Sequence, residues 1–425
     1  MRVRARIGIE RLLGCVVVAA VAAGVAAAPA SAASAGTGKH RGRPAKRDVL
    51  VVSNNWAGTA DIVDAHTFRR LRRINVIPDA QQRIAEIQRD PVASFYFNAI
   101  RVLIGEGHNQ YVDDGFVSRS GRLIYFSRPS FADVVAIRIR TGRIVWRVPV
   151  DGYRADHMAL SPNGRHLLVS ASTANVVDEI DTRTHRIVGT FPSGDAPHEN
   201  NFSRNGKRIF HASIGAVYTN ADDPSLDSTK GKRYFEIVDA KTLKVRRRID
   251  MGKQLAAYGI TGMSSAVRPM AISPSERYVY FQLSFFHGFV EYDLKQNRPT
   301  RLAVLPFRNG SRNIPRTGYI LDSAHHGLAI NPQGTKFCVA GTMSNYAAIV
   351  RRKTLRPQRI VDVGIRPYWS TSSADGRYCF VSVAGNDRVA VISYKTGREV
   401  ARIRVGDHPQ RMRTGRVRRG ALRAA

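Results

Sequence analysis

The sequence predicts an all-β chain folded as a seven-bladed β-propeller, closed by the C-terminal strand joining the N-terminal blade. Three observations predict this. Residues 364–406, GIRPYWSTSSADGRYCFVSVAGNDRVAVISYKTGREVARIRVG, divide into four short runs of β-branched and aromatic residues. The turns between them, Ala374-Asp375-Gly376, Gly385-Asn386-Asp387 and Lys395-Thr396-Gly397, supply the positive φ or side-chain capping that tight turns need. Second, the inner turn glycine recurs as Gly121, Gly164, Gly206, Gly334 and Gly376, with Glu276 in its place in SPSERYVYF. Gly121 to Gly164 spans 43 residues, while Gly164 to Gly206 and Gly334 to Gly376 span 42 each. Third, the outer turn recurs seven times, as DAHTF, IRTGR, DTRTH, DAKTL, DLKQN, RRKTL and YKTGR, against six inner turns.

That deficit locates the closure. DVLVVSNNWAGTADIVDAHTFRRLRRINV carries three strands and lacks the innermost, whereas after the last full unit the chain begins another at Gly406-Asp407-His408-Pro409. Residues 410–414 can therefore complete the first sheet. One four-stranded sheet cannot bury both faces alone, so stacked copies around a channel are the stable solution. A β-sandwich is the competing architecture, and a regular four-strand period argues against it.

In chain order, residues 1–32 read as a secretory signal: Arg2, Arg4, Arg6 and Arg11 precede an Ala-rich apolar run, and Ala30-Ser31-Ala32 offers a small-residue cleavage site. The run is short and followed by Pro29, which favours cleavage over anchoring, and no later stretch is apolar enough to span a bilayer. Cys15 sits too early in the run to be a lipid-attachment cysteine. Residues 33–47 form a basic flexible linker, residues 48–415 the propeller and residues 416–425 a basic tail. The expected location is extracytoplasmic, in the cell envelope or secreted, and the expected state a monomer.

Three stretches interrupt the repeat. Between blades one and two, residues 79–88 have helical spacing, with Ile84 and Ile87 on one face and Pro91 as the stop. The apolar residues beyond it, Phe95, Tyr96, Phe97, Ile100, Val102, Leu103 and Ile104, are placed to cap one end of the channel. The blade-four insertion YTNADDPSLDSTKGKR reads as an exposed loop, since Asp222, Asp223 and Asp227 lack calcium-loop spacing. The blade-five insertion RNGSRNIPRTGYILDSA is also loop-like.

Two cysteines follow the signal, Cys338 and Cys379, in the second strands of adjacent blades. Their offsets from the turn glycines send them to opposite sheet faces, so facing blades can bring them together, and export permits a disulfide. A sheet separation of about 10 Å is wide for that bond, which favours two buried free thiols.

The formal net charge is +33, of which residues 1–32 account for +3. Such an excess suits an anionic polymer, either a cell-wall phosphate polymer or nucleic acid, and RMRTGRVRRGALRAA concentrates it. A solvated arginine-rich surface is the favoured account, since no nucleic-acid motif is present and aromatic residues are not interleaved with the basic clusters.

The repeats HMALSPNGRHLLVSASTANVVDEID, HHGLAINPQGTKFCVAG and SADGRYCFVSVAGNDRVAVISYKTGREVARI resemble those of the YVTN-repeat propellers, the YncE-like family of secreted bacterial proteins. The resemblance covers residues 48–414 and implies architecture more than chemistry, because similar propellers serve as lactonases, quinoprotein amine dehydrogenases and domains of nitrite and nitrous oxide reductases. No Cys-x-x-Cys-His haem motif is present. AIRIRTGRIVW, ending at Trp146, is similar to a quinoprotein tryptophan motif but occurs once, which suits inter-blade packing.

Chemistry should lie where the inner strands begin. Eight residues before each inner turn stand Asp113, Asp156, His198, Arg268, His326 and Tyr368, with Gln410 equivalent in the C-terminal strand. The next residues are Asp114, His157, Glu199, Pro269, Gly327, Trp369 and Arg411. These positions rim one mouth of a propeller channel, and a rim of acids, imidazoles and a guanidinium is richer than packing requires. A wet rim that binds only water is the plain alternative. Asp113, Asp114, Asp156, His157, His198, Glu199, Arg268, His326, Tyr368 and Arg411 are the candidate ligand-binding residues. Among them Asp156, His157, His198 and His326 are candidates for a single divalent metal. Alternatively Arg268 clamps a carboxylate while His157, His198 or His326 acts as general base, with Tyr368 as a further catalytic candidate, as in lactone opening or a lyase. His325, one residue off the ring, is expected to face a blade. The expectation is an exported YncE-like binding or scaffold protein of the cell envelope, with a small anionic ligand at the mouth. The alternative is a metal-assisted, lactonase-like hydrolase or lyase.

Overall fold

Seven four-stranded antiparallel sheets form a ring in the computed structural model, which describes residues 45–218 and 224–423. The expected signal and most of the linker, together with Asp222 and Asp223, lie outside the described residues. Each blade runs inner to outer in chain order except the first, whose strands Lys46–Asn54, Thr59–Asp64 and Arg70–Asn75 receive Pro409–Arg418 on the inner side. No described helix is long and apolar enough to cross a membrane.

The clasp is longer than the sequence pattern suggests. Pro409–Arg418 pairs antiparallel along the whole of Lys46–Asn54, from Asn54 opposite Pro409 to Lys46 opposite Arg418. The strand thus continues into the stretch read as tail, because Lys46, Arg47 and Asp48 extend the first strand and give those residues a ladder. Asp48 also pairs with Arg416 at 3.2 Å, and Val417 and Ala421 are buried with Val49, Val51 and Ile62. A strand that completes its own sheet leaves no open inner edge.

The inner turns need a left-handed residue, and the five glycines adopt φ between 67° and 72°. Glu276 takes φ 54° at the same position. Its carboxylate accepts hydrogen bonds from the Arg204 backbone N–H at 2.5 Å and the Arg208 guanidinium at 2.6 Å, both on the preceding blade, which offsets the side-chain strain.

Blades pack face to face through apolar layers. Trp146 on strand Ile144–Pro149 stacks on Tyr125 at 5.4 Å and meets Leu167, Val169 and Ile180 of the next blade, so it is an inter-blade packing residue. The thiol expectation is corrected: Cys338 and Cys379 form a disulfide between blades six and seven, with Cα atoms 6.2 Å apart. The 10 Å spacing describes stacked sheets in sandwiches. Here small neighbours, Ala340, Ala347 and Ala390, occupy the same buried layer and let the two strands approach.

The insertion after blade one is two helices, Ala80–Arg89 and Pro91–Leu103. Pro91 stops the first and starts the second, where its missing N–H costs nothing and Asp90 caps Val92 and Ala93. Arg128 ties the pair to blade two, bonding Asp79 at 2.5 Å and Asp133 at 2.7 Å.

Candidate functional site

The rim residues converge on a cavity of about 570 Å³ at one mouth of the channel. Asp113, Asp156, His157, His198, Arg268, His326, Tyr368, Gln410 and Arg411 all line it, and none is more than 8 % exposed. The local cause is a break in register at the start of the inner strands. In the ladder of Ala155–Leu160 with its neighbour, Ala155 and Met158 are paired while Asp156 and His157 are skipped. The same interruption skips His198, the pair Arg268 and Pro269, the pair Tyr368 and Trp369, and the pair Gln410 and Arg411. Such bulges re-aim side chains, here out of the sheet and into the channel.

The polar groups are ordered in two layers. At the cavity wall, Arg411 bonds Asp113 at 2.9 Å and Arg154 bonds Asp156 at 2.5 Å. His157 presents Nε2 to Asp156 at 3.6 Å and to Asp113 at 3.9 Å, while its Nδ1 meets Glu199 at 3.0 Å. The His157 and His198 rings lie 3.6 Å apart by centroid, and His326 stacks on Tyr368 at 4.1 Å. Arg268 donates to the Leu321 carbonyl and Ser323, both from the blade-five insertion. Asp114 and Glu199 stand behind the wall: Asp114 binds Arg413 at 2.7 Å, and Glu199 accepts from Asn201 at 3.0 Å as well as meeting His157. Trp369 is also one layer back, with the Arg411 guanidinium 4.2 Å above its ring. His325 faces its blade, bonding the Tyr346 hydroxyl at 3.1 Å.

Burial dominates the electrostatics. It pushes the Asp113 carboxyl up to about 6, against the pull of Arg411, and it raises Glu199. It holds His157, His198 and His326 well below the usual imidazole value, with Arg411 or Arg268 adding to the effect, so all three rings are neutral at pH 7. Tyr368 is raised to about 12 by burial and stays a phenol, a donor and not a base.

Several wall residues escaped the sequence analysis. Arg154 and Gln110 belong to loops entering the inner strands, and Lys230 and Leu321 come from the insertions. Arg154 stands two positions before the rim residue Asp156, and Ala196, at the equivalent position of the next blade, also lines the cavity. The insertions carry no repeat and hence no register. The blade-four loop is ordered by Asp227, which bonds Arg233, Ser264 and the Ser265 N–H, so this aspartate is a structural tie. From the helical insertion, Phe95, Tyr96, Ile100, Leu103 and Ile104 line the cavity, whereas Phe97 and Val102 do not.

No protein-family model matches the chain, and no curated protein matches it. Among solved structures, one titled Kuenenia stuttgartiensis Hydrazine Synthase is similar, with a TM-score of 0.57 at 17 % identity, covering 81 % of this chain and 92 % of that chain. Likeness at that identity shows the propeller fold alone.

Proposed function

We propose that this chain is an exported, YncE-like propeller acting as a binding or scaffold protein of the cell envelope, and that it takes a small anionic ligand at the channel mouth. One observation carries the reading. Arg268 and Arg411, each 1 % exposed, border the cavity, and each keeps a guanidinium nitrogen, Nε and Nη1 respectively, without a hydrogen-bond partner. A buried charged donor left unsatisfied is costly, and a carboxylate or phosphate oxygen is the group that relieves it. The planar guanidinium adds a two-pronged geometry that a lysine lacks. Export is supported by the buried Cys338–Cys379 disulfide, a bond that persists in oxidising compartments, alongside the signal-like N-terminus.

A second reading, a metal-assisted hydrolase or lyase, is favoured by the grouping of Asp156, His157 and His198 in the same wall. Calorimetric titration with succinate as a carboxylate probe tests the first. Wild-type protein is expected to bind it, and Arg268→Ala is expected to lower affinity by at least tenfold, since one charged hydrogen bond is worth roughly 1.5–3 kcal/mol. Equal binding by wild type and variant, or none by either, contradicts the proposal.

A further inference from the structure

Asp156, His157 and His198 each offer a ligand atom to one point, all within 4.8 Å of one another, and all three residues are buried. Bonds of about 2.0–2.1 Å in a tetrahedral site place donor atoms about 3.3 Å apart, so small side-chain rotations close the set. Three features distinguish this trio from polar packing.

The first is the orientation of His157. Its Nδ1 faces Glu199 at 3.0 Å, and Glu199 is itself fixed by Asn201 at 3.0 Å. With Nδ1–H donating to the Glu199 carboxylate, Nε2 is left as a bare lone pair, and that nitrogen faces the carboxylates of Asp156 and Asp113. An acceptor aimed at two further acceptors is unfavourable unless a cation lies between them. The second is Asp156, whose Oδ2 is held by Arg154, with Arg154 anchored in turn by Gln110 at 3.0 Å and Ser172 at 3.2 Å. Its Oδ1 is the oxygen turned toward His157. Both ligands thus have the outer partners that metal sites use to fix ring and carboxylate orientation. The third is His198, 5 % exposed, whose Nδ1 has no hydrogen-bond partner. A buried imidazole without a bond on that nitrogen gains nothing from its polarity in the absence of a ligand.

We propose that Asp156, His157 and His198 hold one first-row divalent transition ion at the channel mouth, with Glu199 and Arg154 as positioning residues, and that the open side of the ion receives the anionic ligand. The metal assignment stands on the trio, and only the ligand clause rests on the function proposed above. Two imidazoles and one carboxylate suit zinc or ferrous iron better than calcium or magnesium, which prefer all-oxygen sites. A dication held by the trio adds positive charge beside Arg268 and Arg411, which line the same cavity, and this favours an anion there.

The test uses the chain without residues 1–32, stripped with a chelator and titrated with Zn²⁺ against a chromophoric competitor. Co²⁺ loading of the wild type follows, because its visible absorption reports tetrahedral coordination without any variant. The expected results are one equivalent of Zn²⁺ bound, a Co²⁺ spectrum of four-coordinate type, and at least a hundredfold loss of affinity in His198→Ala with an unchanged circular dichroism spectrum. Glu199→Gln, which keeps the volume, is expected to lose ten- to a hundredfold and to shift the Co²⁺ bands. Absence of Zn²⁺ binding at micromolar concentration, or undiminished binding in a His157→Ala/His198→Ala double variant, overturns the proposal. Succinate binding measured with chelator present separates the two claims. If it persists without metal binding, the anion site stands and the metal site falls. If Zn²⁺ binds and succinate does not, the reverse holds.

Discussion

At the scale of single residues, this protein spends stability on buried neutral imidazoles. Away from the proposed metal ligands, His211 and His408 are held at about 3 and His287 at about 4, and His325 is held well below the usual value, all chiefly by burial. In the unfolded chain these groups take up protons near pH 6.5, and in the folded chain only much lower. Their stabilisation is therefore complete above pH 6.5 and is lost as pH falls toward 3. Asp178 and Asp113, raised to about 7 and about 6, act in the opposite sense over that window, because protonation relieves their burial. The expected outcome is a net loss of stability between pH 7 and 4.5, reduced by Asp133, Glu179, Glu199, Glu236 and Asp322, whose carboxyls burial also raises. Urea unfolding at the two pH values checks this, and an unchanged midpoint contradicts it. The rim itself was legible residue by residue because the repeat gives each blade a ruler: counting back from the turn glycine lands on Asp156, His198, Arg268 and Tyr368 alike. What the count could not supply was depth. Asp114 and Glu199 sit one residue further along and turn behind the wall: Glu199 re-enters the ladder opposite Ala212, whereas His157, at the equivalent position of blade three, is skipped and lines the cavity.

At the scale of elements, the C-terminal strand carries the closure. Pro409–Arg418 supplies the inner strand of blade one, and Met412 and Val417 are buried against it. Truncation after Gly406 removes that strand and leaves Lys46–Asn54 as an open edge. The expected result is aggregation, or a loss of melting temperature far beyond that of trimming the last four residues alone. Unchanged melting contradicts the closure. This joint was readable from the mismatch between seven outer turns and six inner ones. The disulfide was not, because the distance between Cys338 and Cys379 depends on the small residues that line their shared layer, a property of two blades together. The two helices after blade one were half legible. Periodicity and Pro91 marked the first, but Pro91 reads equally as a stop and as the first residue of a new helix, and only Asp90 before it distinguishes the two.

At the scale of the whole molecule, arginines stand both on the outer strands and, paired with carboxylates, at the channel mouth. On three blades the outer strands Arg70–Asn75, Val245–Ile249 and Glu399–Arg404 expose Arg70, Arg73, Arg246, Arg247, Arg248, Arg402 and Arg404, of which Arg73, Arg246, Arg248 and Arg402 pair with carboxylates. If this excess serves an anionic polymer, binding to polyphosphate should weaken steeply and linearly in log–log form as salt rises, because each neutralised phosphate releases counterions. Salt-independent binding, or none at low salt, returns the charge to a solvated surface. The mouth makes the stronger claim, since buried guanidinium and imidazole groups facing a cavity are not needed to close a propeller. The most direct measurement is a crystal structure of protein purified from its native source without chelators. Density is expected between Asp156, His157 and His198 on one side and Arg268 and Arg411 on the other, with an oxygen of the bound species within about 3 Å of a guanidinium nitrogen. A mouth filled by ordered water alone, with both arginines donating to water, would contradict it.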